Sequence, residues 1–304
     1  MKNHFIITHF ENPASPQIVS ETYTGPISWS PEDKNAWSNI ICSQGNEQSP
    51  IDLSKDTSNY EKLQVGYVMA THYQTKNFNL AIQDKRLWYA DMTNGGFIII
   101  QYKNIKYKYD VVNFSIHYDS EHTFDGKHSD VEIQIVHLKD GNYLRERGWR
   151  LDPNNERDTL NISIRFEVGQ NEDSNFSKIN IKNKGPTLDG FDLNKFVDTK
   201  GSFYFYSGSD TLPPCTQDVY WIIMEKTFTI TQSQLDEVKS WIKTTTTEKN
   251  ARSVKKLNNR VVYYIKTPHD LSTDVNFLFG RTSSSQILIP RLIEVFSLIL
   301  LLIV

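Results

Sequence analysis

His117 carries the most legible chemistry in this chain. Ser115 lies two residues before it, and Gln134 lies on the next strand-like segment. An imidazole can ligate a metal or move a proton near neutral pH. A serine hydroxyl and a glutamine amide are poor zinc donors, and one imidazole does not make a specific zinc site. The plainest reading of His117 is therefore a buried ring bonded to a neighbour. The same stretch, VNFSIHYDSEHTFDGKHSDVEIQIVHL from Val112 to Leu138, also holds Glu121, His122, His128, Glu132 and His137. A rebuilt metal site would have to draw on His122 and His128, the imidazoles closest in sequence.

Two strands must position these groups. Phe114, Ile116 and Tyr118 alternate with Asn113, Ser115 and His117, and Val131, Ile133 and Ile135 alternate with Glu132, Gln134 and Val136. Period-two alternation predicts half-buried strands, with residues i and i+2 on one face. Ser115 and His117 then share a face, and Gln134 can meet them from the second strand. Further strands are predicted across Leu80–Tyr109, broken by the turn Thr93-Asn-Gly-Gly96, and at Leu160–Val168, Phe203–Tyr206 and Val219–Met224. Gln232–Thr244 reads as a helix with Leu235, Val238 and Ile242 on one face and Thr231 as its cap. Thr244–Asn259 is polar and reads as a surface loop.

The stretch resembles the centre of an α-class carbonic anhydrase, whose pattern is roughly FHFHWG, SEHTVDG and ELHLVHW. Here the corresponding words are FSIHY, SEHTFDG and EIQIVHL. Other family words follow in register: Tyr23 with GPISW ending at Trp29, QSPIDL at Gln48–Leu53, YSGSDTLPPCT at Tyr206–Thr216 with Trp221 beyond it, and LNNRV from Leu257. The resemblance covers roughly residues 23–265. It implies an α+β, mostly β fold: a single domain with a central twisted, mostly antiparallel sheet and peripheral helices.

In that family three histidines hold zinc, and the ion lowers the pKa of a bound water to about 7. The resemblance places His117 on one ligand position and Ser115 and Gln134 on the other two. Thr211 and Glu121 fall on the pair that orients the zinc-bound hydroxide. The substrate pocket maps to Val136 and Trp221, and to Asp210, Leu212 and Asn161, which stand where the family has leucine, threonine and valine. Gly96 replaces the histidine that shuttles protons. Ligands, pocket and shuttle have thus changed together. The resemblance implies a carbonic-anhydrase-related domain that binds something at a surface and needs no cofactor. The alternative is a zinc-dependent carbonic anhydrase of weak or rebuilt activity.

Composition bounds the rest. The chain has 304 residues, 38% hydrophobic, with a net charge of −3, enough for one large core. No basic stripe with interleaved aromatics points to nucleic acid. Composition alone leaves open whether Cys42 and Cys215 are two unrelated buried thiols. Secreted and membrane-bound family members join these positions, so the resemblance implies a disulfide and an oxidising compartment. Residues 1–22 lack a clean signal peptide, which would fit an incomplete amino terminus, and residues 23–270 form the domain. In 271–304, small residues around Ser284, a short spacer and the apolar run Val295–Val304 resemble a GPI-attachment signal. A surface or secretory-pathway protein, held to the membrane by that tail or a lipid, follows. Of the sequons at Asn113, Asn161 and Asn175, only Asn175 reads as a loop able to carry a glycan.

Overall fold

A computed structural model describes residues 40–56, 60–62, 68–83, 87–102, 105–140, 157–180, 187–242, 249–266 and 269–270. The expectations for residues 1–22, Tyr23–Trp29 and Ser284 lie outside them. In chain order the strands begin with β1 (Asp52–Leu53), β2 (Glu61–Lys62), β3 (Val68–Tyr73), β4 (Lys76–Gln83), β5 (Leu87–Asp91) and β6 (Gly96–Tyr102). Then come β7 (Ile105–His117), β8 (Thr123–Phe124), β9 (Lys127–His128), β10 (Val131–Lys139), β11 (Thr159–Val168), β12 (Ile179–Asn180) and β13 (Thr187–Phe191). The last are β14 (Phe203–Gly208), β15 (Val219–Ile230), β16 (Val262–Ile265) and β17 (His269–Asp270), with helices α1 (Ile40–Gln44) and α2 (Gln232–Ile242).

Most strands join one 14-stranded sheet whose main path runs β12-β13-β4-β5-β7-β10-β11-β15-β14-β16-β2. It is mainly antiparallel, with parallel joins at β11–β15, β16–β2 and β17–β3. A small sheet of β1, β8 and β9 lies apart from it, and the whole is the mostly β, single-domain architecture with a central sheet that the resemblance implied. The long β7 pairs with β10 along one edge, and with β6 and then β5 along the other. Its carboxyl half therefore sits in the middle of the sheet, where both faces are covered.

The two faces have different chemistry. Val131, Ile133 and Ile135 of β10 join Phe114, Ile116, Ile162 and Phe166 in the larger core. Fully burying one such side chain contributes about 1.5–3 kcal/mol. α2 closes part of this core with Leu235, Val238 and Ile242, as its spacing predicts. Its start is a capping box: Gln234 N donates to Thr231 Oγ1 at 3.3 Å, and Thr231 N donates to Gln234 Oε1 at 3.0 Å. The opposite face carries a smaller aromatic cluster that includes Tyr204, Tyr206, Trp221 and Phe124. Beside it, on the same face, lie the polar residues of β7, β10 and β11.

Two expectations need correction. The segment after α2 is no surface loop throughout, because Asn250 and Arg252 are fully enclosed and bonded into the site. Asn175 is no exposed loop residue either. It is buried, its Nδ2 donates to Asp192 O at 3.0 Å, and its Oδ1 accepts from Asp192 N at 3.1 Å. That pairing turns the amide nitrogen toward a carbonyl and away from any glycan.

Candidate functional site

Register brings the sequence-predicted residues into rungs across one face of the sheet. Ser115, Gln134 and Ser163 stand opposite one another on β7, β10 and β11. His117, Glu132 and Arg165 form the next rung, and Asn113, Val136, Asn161 and Trp221 the one on the other side. Antiparallel and parallel joins alike keep i and i+2 on one face, so these side chains converge.

His117 is 1% exposed at the end of β7. Its Nδ1 lies 2.7 Å from Asn250 O. A carbonyl only accepts, so the ring proton sits on Nδ1. In the neutral ring Nε2 then accepts from Ser115 Oγ, 3.2 Å away. Gln134 fills the centre. Its Nε2 donates to Glu121 Oε2 at 2.7 Å and to Glu132 Oε1 at 3.1 Å, while Thr211 Oγ1 donates to its Oε1 at 3.4 Å. Carboxylates accept and do not donate, so these two partners fix which end of the amide carries nitrogen.

The expected Glu121–Thr211 contact is accordingly replaced. Gln134 stands between the two, donating to Glu121 and accepting from Thr211. Glu121, fully buried, receives its other bond from the backbone N–H of Arg252 at 2.8 Å. Glu132 holds His122 through backbone N at 2.9 Å and ring Nδ1 at 2.8 Å, and His122 Nε2 meets Tyr206 OH at 2.7 Å. Burial alone would raise the Glu132 carboxyl. The charge and hydrogen bond of His122, with His117 beside it, outweigh that and hold it down to about 2. On the other face His137 lies between Tyr73 OH, 2.8 Å away, and Leu160 O, 3.0 Å away. Burial lowers it to about 4.

The remaining predicted positions form the surroundings. Trp221 is buried and its indole donates to Ser209 O at 3.0 Å. Val136 and Leu212 are half-buried. So is Asp210, whose carboxyl is pushed up to about 6 by burial and by Asp218. Gly96 stands opposite Tyr73 at φ +113°, and a Cβ there would fall 2.0 Å from His72 O. This backbone therefore admits no side chain at the shuttle position. Cys42 and Cys215 form a disulfide with Cα atoms 5.1 Å apart, joining residues 173 positions distant; the spacing is ordinary for such a bond.

The sequence reading missed Arg165, Asn250 and Arg252. Arg165 had a signal, since Asn161, Ser163 and Arg165 alternate as the polar face of LNISIRFEV. Asn250 and Arg252 had none, because their polar neighbours hide them.

One imidazole, one hydroxyl and one amide converge here, and the amide spends its nitrogen on two carboxylates and its oxygen on Thr211. This donor set does not fit zinc, which takes imidazole, thiolate or carboxylate ligands. Among the described residues no group of three or more His, Cys, Asp or Glu side chains is placed to hold a metal ion.

Fold and site together define a curled β-sheet domain with an inward polar face at the centre of its sheet. Residues 29–266 match the eukaryotic-type carbonic anhydrase family, and the chain belongs to that family. It is 30% identical over 278 residues to alpha carbonic anhydrase 3 of Arabidopsis thaliana, covering 86% of this chain and 92% of that one. It is 26% identical to dioscorin DB3L of Dioscorea polystachya, covering 80% and 88%. Among solved structures, carbonic anhydrase Cah3 of Chlamydomonas reinhardtii in complex with acetazolamide superposes with a TM-score of 0.61 at 21% identity, over 79% of this chain and 97% of that one.

Proposed function

We propose that this domain is a zinc-free member of the carbonic anhydrase family, acting as a non-catalytic binding module at a cell surface or in the secretory pathway. The observation that carries the reading is Gln134. Its amide occupies the centre of the site and uses both ends on Glu121, Glu132 and Thr211. Ser115 in place of a second imidazole, and Gly96 where no side chain fits, support it further. The long-range disulfide fits an oxidising compartment. The tail around Ser284 supplies the membrane anchor in this proposal, with lipid replacing the residues after it.

The competing reading is a zinc-dependent carbonic anhydrase of low activity, favoured by relatives that carry that name. Elemental analysis separates the two. After dialysis against zinc the purified domain retains far less than one equivalent per chain; near one equivalent overturns the proposal. Ser115→His combined with Gln134→His is expected to bring zinc binding back without comparable CO2 hydration, because Asp210, Asn161 and Gly96 are unchanged. Release of the protein from intact cells by a phosphatidylinositol-specific phospholipase tests the anchor.

A further inference from the structure

A cavity of about 450 Å³ opens beside the disulfide. Its floor is buried Cys42, Gln48 and Arg252, and its walls include Lys255 and Lys256. Exposed Asn46 and Asn258 form the rim, tied together by Asn258 Nδ2 donating to Asn46 O at 2.6 Å. Among the described residues the lining holds three cationic side chains and no carboxylate. Arg252 spends its Nη groups on neutral acceptors there: Ser49 O at 2.6 Å, Cys42 O at 3.1 Å and Gln48 Oε1 at 2.9 Å. These three acceptors leave its charge in place, and the buried carboxylate acting on it, Glu121, lies outside the lining. Lys255 sits half-buried near it, with Ser253 Oγ at 3.4 Å; burial and then the Arg252 charge press its ammonium group down, against a smaller upward pull from Glu121.

The geometry points to an oxyanion pocket, with Lys255 and Lys256 engaging a phosphate and the amides of Gln44, Asn46 and Asn258 engaging the small polar molecule that carries it. Lysine binds phosphate as a point charge. An anion would relieve the repulsion between Lys255 and Arg252, which the buried Glu121 carboxylate offsets only in part. The volume lies within the range of about 300–1,000 Å³ typical of small-molecule sites, which leaves room for the carrier of a phosphomonoester. The site goes beyond the zinc-free reading and does not depend on it, since neither lysine belongs to the Ser115–His117–Gln134 group.

Calorimetric titration of the full chain at physiological salt tests it, with inorganic phosphate in one arm and glucose 6-phosphate in the other. Saturable binding with Kd at or below about 1 mM is expected, tighter for the ester. Lys255→Met and Lys256→Met are each expected to weaken it about tenfold, the size of one lost charged contact. Lys195→Met, on an exposed lysine outside the lining, is expected to leave it unchanged. Absence of saturable binding overturns the pocket, as does equal weakening by Lys195→Met. Equal affinity for the two probes overturns the role of the amides.

Discussion

β10 and β11 lie side by side and turn polar residues to the same face, yet they satisfy them differently. On β10 every side-chain oxygen and nitrogen of Glu132 and Gln134 has a partner within the chain. On β11, Asn161 Oδ1, Ser163 Oγ and Arg165 Nε are buried with no hydrogen-bond partner among the described residues. Arg165 keeps Nη2 bonds to Met224 O and Glu225 O and packs its guanidinium 3.8 Å from the Phe124 ring centre. The contrast separates two kinds of polar site. Around Gln134 the site has closed on itself, and one neutral amide links two buried carboxylates. Along β11 polarity has entered a wall without acquiring partners, and a buried polar atom left unpaired costs about 1–3 kcal/mol.

The strongest way to break this contrast is Gln134→Leu. It removes the donor shared by Glu121 and Glu132, and a stability loss of about 3 kcal/mol is expected, read as a lower urea midpoint. A loss under about 1 kcal/mol would show that the carboxylates do not depend on the amide.

His137 sharpens the comparison through pH, because it lies on β10 but faces the apolar core. Its pKa falls from 6.5 to about 4 on folding. The unfolded chain then takes up a proton that the folded chain refuses. The ring's contribution is fully present above pH 6.5 and is lost as pH falls toward 4, by about 3 kcal/mol. The stability difference between the parent and His137→Gln, followed from pH 7 to pH 4, should shrink by about that amount. A constant difference would show that the ring titrates normally.

On β11 the expected effects are smaller and opposite in sign. Asn161→Val removes an unpaired oxygen, and a gain of about 1 kcal/mol in unfolding free energy is expected. Ser163→Ala should gain about 0.5 kcal/mol. Destabilisation by both would mean that these atoms have partners in solution, a bound water or ligand among them.

Much of the fold was legible because strand alternation is a local property. The period-two runs of Val112–Leu138 and Leu160–Val168, the turn at Thr93–Gly96 and the Thr231 cap each depend on residues a few positions apart. The family words in register supplied the sheet as a whole and the Cys42–Cys215 bond. The same local reading failed at Asn175, where a sequon in a polar stretch turned out to be bonded to Asp192, seventeen positions away.

By itself the sequence determined which residue types reach the site face: one imidazole, a hydroxyl and an amide at Ser115, His117 and Gln134. Only the tertiary structure decided what those groups do. Gln134 reaches Thr211 across 77 positions, Arg252 reaches Glu121 across 131, and Asn250 reaches His117 across 133. Partners so distant are chosen by how the sheet curls and where the loops return. Nothing in the local pattern encodes them, because a hydrogen bond depends on angle and distance in space and not on spacing along the chain.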